Sequence, residues 1–196
     1  MTKPPQPPGS PRAPALLLRP VRWSEDLDTV RRLFREYRQW LADHQDPSPE
    51  SRERVTNGLA MVDSLIENLP QSYRPPRGDI LLWFESGNLV ACGALRELEP
   101  GIAEFRRIHV RPDHRGTEFG RPFVLALIAR ARELRFARVR AEALPTMRAA
   151  IEFHEQLGFH RIPAYWPHPA AGTIFFEREV EIPADLDASP ARRRSA

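Results

Sequence analysis

The chain has 196 residues, 41% of them hydrophobic and 28% charged, which suits one globular domain with tails. Its formal charge is +3; Lys3 and Arg12 fall in residues 1–15, and the charges of 181–196 cancel, so residues 16–180 carry only +1 and lack the electrostatic footprint of a nucleic-acid binder. Cys92 is the single cysteine, which excludes an intramolecular disulfide and a Cys-based metal site, and no apolar run approaches the ~20 residues of a membrane span.

Residues 1–15 hold six prolines and no aromatic side chain and read as a disordered Pro-rich arm. Pro4, Pro5, Pro7 and Pro8 stand where a signal peptide needs its apolar stretch, so a cytoplasmic protein is expected. Residues 16–21 predict a strand. Ser24 is the expected N-cap of a helix that opens with Glu25, Asp26 and Asp28. Leu27, Val30, Leu33, Phe34, Tyr37, Trp40 and Leu41 then recur at helical spacing, up to Asp46-Pro47. A second helix is expected over 50–68, with Val55, Leu59, Val62, Leu65 and Ile66 on one face. Pro70, Pro75, Pro76 and Gly78 mark a loop. Three strands follow at 79–85, 89–98 and 102–110, joined at Ser86-Gly87-Asn88 and Pro100-Gly101 as an antiparallel meander. Helix 122–135, strand 138–143, a helix with Pro145 in its first turn that ends at Gly158, and strand 172–180 complete the body. The domain therefore spans 16–182 and is mixed α/β, and residues 183–196, with the Arg192–Arg194 run, read as a solvated tail.

The informative segment is the polar loop 111–121 between a strand and a helix N-terminus, Arg111-Pro112-Asp113-His114-Arg115-Gly116-Thr117-Glu118-Phe119-Gly120-Arg121. Such a loop can turn several backbone N–H groups toward one anion, with the helix dipole adding to the field. It is neither a P-loop nor a dinucleotide fingerprint, because the glycine spacing and the Gly-Lys-Ser/Thr signature are absent. On composition alone, a phosphate site and a plain solvent turn both remain open.

With Val110, Pro112, Arg115, Gly116 and Gly120 in place, the loop resembles the acyl-CoA loop of the GNAT superfamily of N-acetyltransferases. Leu144, Met147, Ala150, Ile151, Phe153, Leu157, Gly158 and Phe159 match that family's second pattern, and the element order over about 16–180 agrees. The resemblance implies a mostly antiparallel mixed sheet flanked by helices, the acyl-CoA N-acyltransferase fold. It implies acetyl-CoA as co-substrate, no metal, and direct attack of a primary amine of a small molecule or peptide on the thioester. Backbone groups of Ile108, His109 and Val110 would hold the pantetheine arm. Amides of Arg115, Gly116, Thr117, Phe119, Gly120 and Arg121 would cradle the pyrophosphate. The thioester would lie where strands 102–110 and 138–143, read as parallel neighbours, separate.

Two positions depart from the family pattern. Glu118 replaces a glycine beside the expected pyrophosphate, where it either repels the phosphates or points to solvent. His154 stands where the family often has a tyrosine that protonates the leaving sulfur, and is the acid candidate or a helix-flank residue. Glu104, which alternation would place on one face with Arg106, Ile108 and Val110, is the base candidate or an arginine-paired carboxylate. His109 alternates to the other face and reads as structural. Tyr73, Tyr165, Trp166 and His168 lie in proline-marked loops that would frame the acceptor pocket, and Cys92 reads as a core thiol. The alternative function is a degenerate member of the fold that binds acyl-CoA weakly or not at all and acts as a sensor or interaction module. Monomer and homodimer both stay open. The bias to arginine, with Lys3 the one lysine, suggests a GC-rich bacterial genome.

Overall fold

The computed structural model describes residues 15–43, 64–114, 120–167, 169 and 171–181. In chain order these hold β1 (Leu16–Pro20), α1 (Trp23–Asp43), α2 (Leu69–Tyr73), β2 (Gly78–Glu85), β3 (Asn88–Glu99), β4 (Ile102–Val110), α3 (Gly120–Glu133), β5 (Arg138–Ala143), α4 (Arg148–Gln156), β6 (His160–Ile162) and β7 (Ile174–Glu179). Most of the helix expected over 50–68 lies outside the described residues, apart from helical residues 64–67. So do Arg115, Gly116, Thr117, Glu118, Phe119, His168, residues 1–14 and residues 182–196.

The strands form one seven-stranded sheet in the order β1-β2-β3-β4-β5-β7-β6. Every neighbouring pair is antiparallel except β4 and β5, which run parallel as expected. One face is covered by α3 and α4, where Phe123, Leu127 and Ile151 meet Leu81, Leu95 and Phe176. On the other, Val30, Leu33 and Phe34 of α1 and Leu69 and Tyr73 of α2 close over Ile80, Leu82, Cys92 and Ala94. Each such large apolar side chain contributes about 1.5–3 kcal/mol on burial, so two layers against one sheet define the domain.

Local signals explain most element ends. α1 begins one residue before Ser24, and the capping group is Asp26 instead: its Oδ2 accepts the Arg22 backbone N–H at 2.7 Å. The same carboxylate takes two Arg19 bonds at 2.7 and 2.9 Å, which hold it below the usual carboxylate range. The loop expected before β2 contains the short helix α2. Gly78 opens β2 because a Cβ there would lie 2.5 Å from the Leu95 carbonyl oxygen. α3 starts at Gly120 rather than 122, so Gly120 and Arg121 belong to its first turn. α4 starts at Arg148, leaving Pro145 in the preceding turn; its end is set by Gly158 at φ +80°. The three-residue β6 is an addition to the expected order.

β4 departs from simple alternation. Cys92 pairs with His109 and Ala94 with Arg106, so β4 spends one more residue than β3 over this stretch. The bulge falls at Arg107, whose φ of +56° is unusual for a side chain other than glycine. Directly opposed residues share a face of the sheet. Cys92 and Ala94 belong to the α1 side, so Glu104, Arg106 and His109 share that side. Ile108 and Val110 turn to the α3/α4 side. This reverses the expected grouping of Glu104 with Ile108 and Val110 and of His109 with the opposite face.

Candidate functional site

β4 and β5 pair over only three registers, Ile102↔Arg138, Ala103↔Val139 and Glu104↔Arg140. Beyond them the strands part. β5 stays fully paired with β7 on its far side, through to Ala143↔Ile174, and β4 stays paired with β3 to Val110. The two edges that face each other past Glu104 therefore have no ladder partner in the sheet. Unpaired edge N–H and C=O groups in a protein interior need a partner. A cleft of about 170 Å³ opens between them. Its apolar wall comes from Phe105, Ile108, Val124, Met147 and Phe153, and its polar wall from Arg106, Arg107, Glu142 and His154, with Tyr37 of α1 at the side.

A Cβ on Gly120 would contact the Phe153 ring at 3.6 Å. The N-terminus of the fourteen-residue α3 thus sits beside a residue of the cleft wall, and its first-turn amides and dipole suit an anion there. Of the anticipated cradle, only Gly120 and Arg121 are among the described residues.

His154 is buried and lines the cleft. It lies 5.2 Å from the Phe176 ring in a stack and 5.2 Å from Phe159 edge-on. Its Nδ1 is 2.6 Å from the Ala150 carbonyl oxygen, which can only accept, so Nδ1 carries the proton and Nε2 is the acceptor nitrogen. Burial pushes its pKa below the ordinary histidine value, so the ring is neutral near pH 7.

Glu104 is 1% exposed and is not the carboxylate that lines the cleft. Arg96 donates to its Oε2 from Nε and Nη2 at 3.2 and 3.1 Å, and Arg106 Nε lies 3.3 Å from the same oxygen. The Tyr165 hydroxyl donates to Oε1 at 3.0 Å. Arg106 reaches across to a second carboxylate, Glu142, at 2.7 Å, and Trp166 Nε1 donates to the other Glu142 oxygen at 2.9 Å. Burial disfavours the Arg106 cation, but Glu104 and Glu142 outweigh it and raise its pKa. Burial, with the Glu104 charge next, raises that of Tyr165. Tyr165 and Trp166 both rest edge-on against Phe175, at 4.9 and 6.0 Å. The structure thus brings Tyr165 and Trp166 to the carboxylates.

Tyr73 is different from the loop residue expected: it ends α2, is fully buried, and packs edge-on against Phe34 at 6.2 Å. His109 is buried against the Tyr37 ring at 5.8 Å. Glu142, Arg107 and Tyr37 are site residues that sequence reasoning passed over, and Arg106 entered it only as a companion of Glu104. Glu142 sits in Arg-Val-Arg-Ala-Glu-Ala, whose alternation carries no mark of a cleft.

Among the described residues no helix is long and apolar enough to cross a membrane, and no group of three or more His, Cys, Asp or Glu side chains could hold a metal ion. A family model described as the acetyltransferase (GNAT) family matches residues 28–159. An uncharacterised N-acetyltransferase of Schizosaccharomyces pombe is 26% identical over 162 residues, covering 82% of this chain and 92% of its own. A GNAT-family acetyltransferase from Staphylococcus aureus has a TM-score of 0.65 at 15% identity, over 85% of this chain and 100% of its own. YncA of Salmonella typhimurium, solved with acetyl-CoA, has a TM-score of 0.58 at 17% identity, over 89% of this chain and 99% of its own.

Proposed function

Since the chain belongs to the GNAT family of acetyltransferases, we propose that it moves an acetyl group from acetyl-CoA to a primary amine in the β4/β5 cleft. The observation that carries this reading is the parting of β4 and β5 after three registers, which leaves two open backbone edges beside an apolar wall. Those edges suit the alternating amides of a pantetheine arm, and Ile108, Phe153 and Met147 suit its methylenes. The N-terminus of α3, with Gly120 and Arg121, suits the pyrophosphate.

Bound acetyl-CoA supplies a thioester whose carbonyl carbon the amine attacks and whose thiolate then leaves. An ammonium cannot attack, so Glu142, the carboxylate that lines the cleft, takes its first proton. A free β4 amide past Glu104 donates to the carbonyl oxygen as charge develops on it. The second amine proton passes to His154 Nε2. The imidazolium so formed returns it to the sulfur as the C–S bond breaks, which gives free CoA and the amide. Glu104 acts through others: it holds Arg106 and Tyr165, and Arg106 in turn fixes Glu142. It is a positioning residue in this reading.

The test is release of free thiol from acetyl-CoA across a panel of amines, with mass spectrometry of the product. Amine-dependent thiol release that falls at least 100-fold in Glu142→Gln supports the reading. Thiol release that is independent of amine, or unchanged in Glu142→Gln, overturns it.

A further inference from the structure

Among the described residues, charge in the cleft does not balance. Arg96 and Arg106 are each bonded to a carboxylate, Glu104 or Glu142. Arg107 is the third cation at this place. Among the described residues it pairs with no carboxylate and donates no hydrogen bond, and its Nε is buried without a partner. Its guanidinium carbon lies 5.7 Å from the Tyr37 ring. The backbone adds to the oddity, because the side chain is set by the positive-φ bulge residue, where a side chain other than glycine costs of order 1 kcal/mol or more. Among the described residues the Tyr73 hydroxyl also has no hydrogen-bond partner, and it lies within electrostatic reach of Arg107, Arg96, Arg106 and Glu104. Burial, and repulsion from Arg106 and Arg96, push the Arg107 pKa down, as expected of a cation that lacks a counter-charge.

A half-buried guanidinium without a partner is costly to keep unless a ligand completes it. Arg107 and Glu142 line the same cleft, one missing an anion and the other placed for an ammonium. Resting on the acetyl-transfer reading above, we propose that the acceptor is an amino acid: a small amine that also carries a carboxylate, with Arg107 gripping the carboxylate while the amino group faces Glu142. The planar fork of Arg107 offers two parallel N–H donors to one carboxylate.

The experiment compares free α-, β- and γ-amino acids with their amides and with the decarboxylated amines. Thiol release is measured with acetyl-CoA, and calorimetric titration is run into the CoA-loaded protein. Only acceptors with a free carboxylate should turn over. Arg107→Gln should raise their KM on the order of 30-fold, leave the KM for acetyl-CoA unchanged, and leave the thermal midpoint near wild type. Arg107→Lys, which keeps the charge and loses the fork, should recover part of the loss. Equal use of amides or decarboxylated amines overturns the proposal. So does an Arg107→Gln effect that falls on acetyl-CoA instead, because it assigns the cation to the cofactor. If no amine is acetylated, the acetyl-transfer reading fails by itself, and the titrations decide the rest. Amino-acid binding that is lost in Arg107→Gln upholds the carboxylate site, and absence of binding refutes it.

Discussion

His154→Phe separates the fold's use of this side chain from its use in chemistry. In the native protein the imidazole is stacked on Phe176, edge-on to Phe159, and bonded to the Ala150 carbonyl. A phenyl ring keeps both ring contacts. It forfeits one buried hydrogen bond, about 1 kcal/mol, and gains apolar burial of about the same size, so stability at pH 8 should change by less than about 1 kcal/mol. The pH dependence should differ sharply. Burial lowers the folded-state pKa below the ordinary histidine value of 6.5, so as pH falls the unfolded chain takes up this proton first. The stability that comes from the neutral ring is complete above pH 6.5 and is lost progressively as pH falls through the folded-state value. Within that window the wild type should lose up to about 1.4 kcal/mol per pH unit relative to His154→Phe. Urea unfolding of both proteins at half-unit steps from pH 8 to about pH 4.5 measures the difference directly. Over the same series kcat should fall on the order of 100-fold or more in the variant, with acetyl-CoA affinity kept. Parallel stability curves would refute the desolvated, neutral imidazole; an undiminished kcat would refute its place in proton transfer.

Further outcomes follow from the same geometry. Glu104→Gln keeps the volume but leaves Arg96 and Arg106 without their shared charge, so urea unfolding should show a loss of about 2–4 kcal/mol, at the low end because Arg96 is partly exposed. Through Arg106 the same change should also lower kcat with little effect on the KM for acetyl-CoA. Gly78→Ala puts a methyl group 2.5 Å from the Leu95 carbonyl oxygen, a backbone atom that cannot swing away, and should cost about 2 kcal/mol or more in thermal or urea unfolding. Phe153→Ala removes part of the cleft's apolar wall beside Gly120 and should weaken acetyl-CoA binding about tenfold by calorimetry.

Much of this frame is legible in the residues. The turn at Pro100-Gly101 and the polar loop from Arg111 bound β4 at 102–110, and alternation marks β5 at 138–143, the strands whose parting opens the cleft. Their parallel pairing came from the family resemblance, since periodicity is blind to direction. The bulge was hidden because a bulge of positive φ is marked in sequence by glycine, and here an arginine takes that φ. One unsignalled residue then reversed the side of Ile108, His109 and Val110. β6 was hidden for another reason: three residues carry no periodicity, and the strand exists only because β7 offers an edge. Tyr165 and Trp166 announce themselves as aromatic residues in a loop. Their carboxylate partners lie 61 and 24 residues away, a distance that no local pattern spans. The unmatched charge of Arg107 becomes visible only when its neighbours' pairings are assigned in space.

The most direct measurement is a calorimetric titration of acetyl-CoA, with CoA as the control, into the full-length protein. A cleft with open backbone edges and a helix N-terminus at its rim should bind acetyl-CoA one to one in the micromolar range. Phe153→Ala should weaken that binding. Absence of binding at millimolar ligand would contradict the account, because the parted strands would then hold no co-substrate at all.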